Sequence, residues 1–291
     1  QKLFEDDSRV RFFLGDIRDR ERVYRAVDGV DIVIHAAAMK IVRAAEYNPF
    51  EAVQTNVLGA MNLIDACIDR GVSKVVALST DKASNPVSLY GATKLASDKL
   101  FIAGNSYAGS KSTRFSVVRY GNVMGSRGSV IPLFLDRLAD GNPLVINDER
   151  MTRFMITLAE GVEMVGLALG DMVGGEIYVR KAPSMSVVDI ARALAPGAEY
   201  LVAGIQPGEK LHEQMIGEVD APQTYEYDTY FKILPTINLW DRNADMVKGG
   251  KRVEDGFNYV SDQNRDWMQP QEFSKWLHAF QATSPKDSRK S

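Results

Sequence analysis

The chain has 291 residues and a mass of 32.2 kDa, with 45% hydrophobic and 25% charged residues, which excludes a wholly disordered chain and supplies apolar material for a large core. Against 35 Lys+Arg stand 38 Asp+Glu, a formal charge of −3, which argues against nucleic acid as a main partner. Cys67 is the only cysteine, so no intrachain disulfide forms and a cytoplasmic location is expected; no signal peptide is visible and no apolar run approaches the roughly 20 residues that span a bilayer, so no membrane partner is expected.

The chain opens Gln1-Lys2-Leu3-Phe4 without an initiator methionine, as if it began inside a domain. Val10 to Leu14 predicts a short strand ending at Gly15-Asp16. Asp19 to Val27 has helical spacing, with Val23 and Val27 apolar at i and i+4 and Gly29 as a stop. Asp31 to His35 predicts a compact strand, followed by Ala36-Ala37-Ala38. Pro49 to Arg70 predicts one long amphipathic helix ended by Gly71. Lys74 to Leu78 predicts a buried strand, Tyr90 to Ala103 a helix, and Arg114 to Arg119 another strand.

Continuously apolar strands alternating with helices indicate an α/β fold with a doubly wound, Rossmann-type parallel sheet covered on both faces. Such a sheet normally opens with a strand, a glycine-rich loop and a helix that cradle a pyrophosphate. No such glycine pattern precedes Asp16, so the first βαβ unit is expected to be missing from the chain. Past residue 125 the rhythm changes: segments shorten, Gly and Pro recur, and Tyr225, Tyr227, Tyr230 and Phe231 cluster. The expected organisation is an incomplete dinucleotide-binding domain over residues 1–124 and a smaller C-terminal substrate lobe over 125–291, with segments around 150–182 returning to the first domain. The polar tail Ser284 to Ser291 is expected to fray.

One constellation carries chemistry. Ser79-Thr80-Asp81-Lys82 follows the strand Lys74 to Leu78, and Tyr90-Gly91-Ala92-Thr93-Lys94 follows in turn. Tyr90 and Lys94, at i and i+4, share one helix face. A nearby ammonium lowers a tyrosine's pKa by stabilising the phenolate, and such a tyrosine takes a proton from a sugar hydroxyl while a nicotinamide takes the hydride. Alone, this spacing is a common coincidence of a packed Tyr and a surface Lys. Its position after a strand end, where open α/β sheets place their ligands, gives it weight.

This pattern resembles the extended short-chain dehydrogenase/reductase family over nearly the whole chain. The resemblance implies that Asp16, Ile17, Ala36, Ala37, Tyr90, Lys94 and Val123 contact the cofactor, NADP with NAD as the alternative. It also implies that Asn56 is a structural group; His35 opens the segment His35-Ala36-Ala37-Ala38 that resembles the family's cofactor-contact stretch, and is itself read as a packed imidazole in preference to a catalytic group.

Asp81-Lys82 narrows the chemistry. Reductases and epimerases of the family need the Tyr and its hydroxyl partner; dehydratases also need a base for the C5 proton and an acid for the C6 hydroxyl. A Lys serves as that base only if burial or a neighbouring cation depresses its pKa, and proximity to Lys94 is expected to supply this. The Thr80-Asp81-Lys82 triplet resembles the inverting UDP-N-acetylglucosamine 4,6-dehydratases of pseudaminic acid biosynthesis. So do Ala38-Met39-Lys40, Ser126-Arg127-Gly128, Arg150-Met151-Thr152-Arg153 and Pro207-Gly208-Glu209-Lys210-Leu211-His212-Glu213.

The resemblance implies a UDP-sugar substrate, a homo-oligomer and no metal. Its catalytic residues are Tyr90, Thr80, Asp81 and Lys82. Its substrate contacts are Lys40, Asn122, Arg127, Arg153 and Glu209, with Arg153 on the diphosphate. Gln206 stands where the family usually has an arginine, giving up a charge-assisted contact. The alternatives are a nucleotide-sugar 4-epimerase or retaining dehydratase of the same fold, and, in a different class, a non-catalytic binding subunit.

Overall fold

The computed structural model describes residues 7–236 and 244–283; the expectations for Gln1–Asp6 and for the tail from Ser284 lie outside the described residues. Asp19 caps α1 (Arg20–Ala26) by accepting from the Arg22 N–H, and Val23 and Val27 turn into the core. β1 (Ile32–His35) leads to two short helices, α2 (Val42–Tyr47) and α3 (Pro49–Val53). A π-helical turn at Gln54–Leu58 joins α3 to α4 (Gly59–Arg70), so the single helix expected from Pro49 is interrupted. π turns of this kind gather at functional sites, and this one carries Asn56. Gly71, at φ +73°, closes α4 in the left-handed conformation that lacks a penalty only for glycine.

β2 (Lys74–Thr80), α5 (Leu89–Tyr107), β3 (Arg114–Tyr120) and β4 (Asn122–Val123) follow, then α6 (Val130–Ala139), β5 (Leu144–Ile146), β6 (Thr152–Ile156), α7 (Leu158–Asp171) and β7 (Ile177–Arg180). The remainder comprises β8 (Ser184–Ser186), α8 (Val187–Leu194), β9 (Tyr200–Val202), β10 (Gln214–Ile216), β11 (Thr224–Glu226), β12 (Tyr230–Ile233), α9 (Ala244–Val247), β13 (Lys251–Arg252), β14 (Tyr259–Val260) and α10 (Pro270–Thr283).

The main sheet has the order β1-β2-β3-β7-β12-β11-β13. β1, β2, β3 and β7 run parallel, whereas β12, β11 and β13 extend the edge antiparallel. Alternation along each strand divides the two faces. Val75, Ala77, Phe115 and Val117 meet α4 and α5 on one side, with Phe101 and Leu63 among their neighbours; Val76, Val118 and Tyr178 meet Met164, Val165 and Ala168 of α7 on the other. The doubly wound α/β expectation therefore holds, with an antiparallel extension that periodicity did not disclose. A separate core joins α6, α8 and α10 through Ile131, Phe134, Leu144, Ile190, Phe273 and Leu277. Residues beyond 125 thus contribute both to this second core and, through β7, β11, β12 and β13, to the main sheet. Among the described residues no helix is long and apolar enough to cross a membrane.

The strand expected at Val10–Leu14 does not form. Among the described residues no strand pairs with it, and Phe12, Phe13 and Leu14 are exposed. An apolar run becomes a strand only where a neighbour accepts its ladder; here the Arg22 guanidinium instead stacks on Phe13 and donates to the Leu14 carbonyl.

Candidate active site

The site forms at the C-terminal ends of β1, β2 and β3, where the crossover helices turn away and leave room for a ligand. β2 ends at Thr80, and Asp81–Ala83 make one 3-10 turn. Ser88 then starts α5 by accepting from the Gly91 N–H at 3.1 Å. A Cβ at Gly91 would collide with the Lys82 carbonyl. The absence of a side chain there lets the first turn of α5, and with it Tyr90, lie directly against the Asp81–Lys82 turn.

Thr80, Asp81, Lys82 and Tyr90 are brought together as expected. Asp81 is fully buried; its Oδ1 accepts from Thr80 Oγ1 at 2.9 Å and from Lys82 Nζ at 3.1 Å, while its Oδ2 has no hydrogen-bond partner among the described residues. Lys82 Nζ also lies 3.2 Å from Oε1 of Glu213, which precedes β10. Glu213 in turn faces Arg153 Nε at 3.7 Å. The cluster is therefore a chain of alternating charges, Asp81, Lys82, Glu213 and Arg153, with Lys210 close by and donating to the Ser84 carbonyl at 2.7 Å.

Two electrostatic expectations need correction. The Lys82 pKa is not depressed: burial alone would lower it, but the carboxylates of Asp81 and then Glu213 outweigh that and raise it above the ordinary value. Nor is the Tyr90 hydroxyl lowered by Lys94; burial pushes it up to about 12, against smaller lowering from Lys82 and Thr80. Lys94 instead donates to the Leu78 carbonyl at 2.8 Å, and burial lowers its own pKa. Burial, with Glu213 adding, raises Asp81, while Lys82 and Arg153 overcome burial to lower Glu213.

The residues expected to hold a dinucleotide lie along the same edge. Ala36 and Ala37 are exposed just past β1, and small side chains there leave the backbone open to close approach. Lys94 is buried beneath the edge, and among the described residues its single hydrogen bond is to Leu78, which leaves ammonium donors for a further acceptor. Asn122 Oδ1 is buried without a partner among the described residues, close to Val123 on β4. Ile17 packs against Gly59, while Asp16 is exposed and held by Arg18, whose hydrogen bonds draw its carboxyl down to about 2. Small residues, a buried cation and an orphaned amide oxygen together fit a nicotinamide dinucleotide.

The expected substrate contacts separate into two kinds. Lys40 and Arg127 are exposed, and burial of part of its stem lowers the Lys40 pKa. Arg153 is not free: its guanidinium donates to the carbonyls of Thr152, Leu211 and Lys210 and faces Glu213. Glu209 accepts from Asn147 Nδ2 and from the Gln206 N–H, stabilising its turn, and the Gln206 amide bonds back to Gly204. Asn56 Oδ1 accepts from the Met39 N–H, and its Nδ2 donates to the Met39 carbonyl and Thr93 Oγ1, tying α5 to the loop after β1. Glu213 and Lys210 were given no role from sequence. The one signal was their place in the Pro207–Glu213 segment that resembles the family, and it does not say which cation lies opposite Glu213.

A family model for polysaccharide biosynthesis proteins matches residues 1–235. The chain is 54% identical over 269 residues to the "UDP-N-acetylglucosamine 4,6-dehydratase (inverting)" of Campylobacter jejuni, covering 90% of this chain and 80% of the relative. Among solved structures, Pen from Bacillus thuringiensis superposes with a TM-score of 0.86 at 35% identity, covering 97% of this chain and 85% of that one. DesIV, the dTDP-glucose 4,6-dehydratase of Streptomyces venezuelae solved with NAD bound, superposes at a TM-score of 0.65 and 27% identity, with 72% of each chain covered.

Proposed function

The chain belongs to the family of polysaccharide biosynthesis proteins, and from that premise we propose that it is a nucleotide-sugar 4,6-dehydratase that removes water from UDP-N-acetylglucosamine and inverts C5. The observation that carries this reading is the Lys82–Asp81 contact beside Tyr90, because an epimerase has no use for an additional acid and base. The 54% identity to a relative named for this activity supports it.

In this mechanism Tyr90 accepts the proton of the C4 hydroxyl in its phenolate form, which the Lys82 charge and the Thr80 hydrogen bond favour against burial and which the positive charge of an oxidised nicotinamide would favour further. When bound, the nicotinamide, NADP with NAD as the alternative, supplies the reversible hydride acceptor. Lys94, Ala36, Ala37, Val123, Asp16 and Ile17 are the residues assigned to hold it. Oxidation at C4 acidifies the C5 proton, which Lys82 Nζ removes. Asp81 protonates the departing C6 hydroxyl, C6 takes back the hydride that left C4, and C5 is reprotonated from the opposite face.

Lys82 is charged in the resting site, so it becomes a base only by giving up a proton. Asp81 stands 3.1 Å away with its pKa raised. Transfer of the proton along that hydrogen bond produces a neutral amine and a protonated carboxyl, the base and the acid the two steps require. Lys40, Asn122 and Arg127 are assigned to the UDP-sugar. Arg153 and Glu209 are assigned to the UDP-sugar as well, Arg153 on the diphosphate, and Arg153 also faces Glu213 at 3.7 Å.

Incubation with UDP-N-acetylglucosamine tests the reading. Mass spectrometry is expected to show loss of one water; a product isobaric with the substrate identifies an epimerase and removes the dehydratase.

A further inference from the structure

Glu213 has no part in the sequence-based mechanism, yet it is held with care. It is 2% exposed, its N–H donates to Ser261 Oγ at 2.9 Å, and its carbonyl accepts from the Ser261 N–H at 2.8 Å. Ser261 is itself hydrogen-bonded to Thr152 beside Arg153. The side chain leaves Oε2 buried with no hydrogen-bond partner among the described residues, a costly arrangement unless the carboxylate answers a cation. The nearest cation is Lys82, 3.2 Å from Oε1, closer than Arg153 at 3.7 Å.

We propose that Glu213 is a positioning residue for Lys82: fixed by Ser261 and Arg153, its carboxylate anchors the Lys82 amine opposite Asp81, so that Nζ is held between two oxygens beside Tyr90. This deepens the dehydratase reading and rests on Lys82 being the C5 base. Lys82 sits on a three-residue 3-10 turn and its side chain is 26% exposed. Asp81, its chain neighbour, fixes one direction of a flexible four-carbon stem; a second carboxylate from the far half of the chain fixes the other. A base misplaced by about 1 Å loses on the order of a hundredfold in rate.

The groups facing Lys82 are Asp81 from its own turn, Tyr90 from α5, Arg153 from β6, and Glu213 and Lys210 from the segment before β10. Burial lowers the Lys82 pKa, and the two carboxylates overcompensate. Removing the Glu213 charge therefore lets the ammonium titrate at lower pH.

The test uses Glu213→Gln and Glu213→Asp in the intact protein, with two readouts. The first needs no turnover: reductive ¹³C-methylation followed by NMR titration, with the Lys82 signal assigned by its loss in Lys82→Met. In Glu213→Gln its midpoint should fall by about one pH unit, and an unmoved midpoint overturns the proposal. The second compares deuterium entry at C5 with C4 oxidation, followed by the absorbance of reduced nicotinamide. Glu213→Gln should lose C5 exchange by about a hundredfold while C4 oxidation is retained; exchange that only tracks C4 oxidation overturns positioning. Glu213→Asp keeps the charge but withdraws it by one methylene, so it should keep the midpoint and recover part of the exchange. If Glu213→Gln does not fold, the Asp variant decides: reduced exchange with C4 oxidation retained supports positioning, and full exchange overturns it. If the wild-type protein forms no dehydrated sugar, the dehydratase reading falls, while the Lys82 midpoint still decides whether Glu213 governs that amine.

Discussion

Lys82 Nζ lies 3.1 Å from Oδ1 of Asp81, the residue before it in the chain. A cation and an anion adjacent in sequence usually point apart; here the 3-10 turn at the end of β2 bends them onto one hydrogen bond. The proposed base and acid are therefore hydrogen-bonded to each other before any sugar arrives.

Lys82→Ala removes the base and leaves Asp81 in place. Solvent deuterium should cease to enter C5, with a rate loss of about 10²–10⁴-fold, while the protein still binds its nicotinamide cofactor. NMR of the recovered sugar and cofactor fluorescence check the two halves. Undiminished incorporation at C5 takes Lys82 out of the base role.

Gly91→Ala probes the same site through the backbone. The added Cβ meets the Lys82 carbonyl, so α5 must shift away from the turn, at a cost of about 1–3 kcal/mol. Tyr90 moves with it. The variant should melt at lower temperature and lose turnover more than it loses substrate affinity; wild-type turnover in a destabilised variant would show that the close approach serves the fold alone.

His35 gives the stability curve an acid limb. Burial first, and then the Lys94 charge, lower its pKa from 6.5 to about 4. Above the ordinary histidine value the ring is neutral in both states. As pH falls from 6.5 toward about 4, the unfolded chain binds a proton that the folded site refuses, so stability is lost across that window, by about 3 kcal/mol in full. Denaturant titrations from about pH 7 to about pH 4.5 should show a shallower decline in His35→Asn than in wild type; parallel curves would refute the assignment.

Asp171 holds together the antiparallel extension of the main sheet. It pairs with the fully buried Lys232 of β12, with Lys248, and with the Tyr178 hydroxyl. Lys232 also donates to the Met246 carbonyl. Asp171→Asn leaves the Lys232 charge buried with its partner gone and should cost about 3–5 kcal/mol. Adding Lys232→Met should recover much of that loss. Equal melting temperatures for Asp171→Asn and the double variant would place the cost elsewhere.

Local chemistry settled a large part of this protein in advance. The apolar runs of β2 and β3, the helical spacing of α5, the stop at Gly71, and the succession Thr80-Asp81-Lys82 then Tyr90 and Lys94 all depend on neighbours within a few residues. They were legible because side-chain periodicity and capping act over that range. Val10–Leu14 shows the limit: its apolar pattern suits a strand, but a strand exists only through a partner's hydrogen bonds. The same limit hid β11, β12 and β13, short segments that owe their conformation to the edge they extend.

What the tertiary structure alone decided is the electrical state of the site. From the sequence, Lys82 needed a lowered pKa and Lys94 was its nearest visible cation. Folding instead sets Glu213 beside Lys82 and turns Lys94 toward the Leu78 carbonyl. Charges in a buried cluster act through space at a few ångströms and in a weakly screening interior, so residues distant in the chain outweigh those close in it. The sequence by itself determined which chemical groups are present and on which elements they lie; only the packed fold decided which of them hold protons for one another.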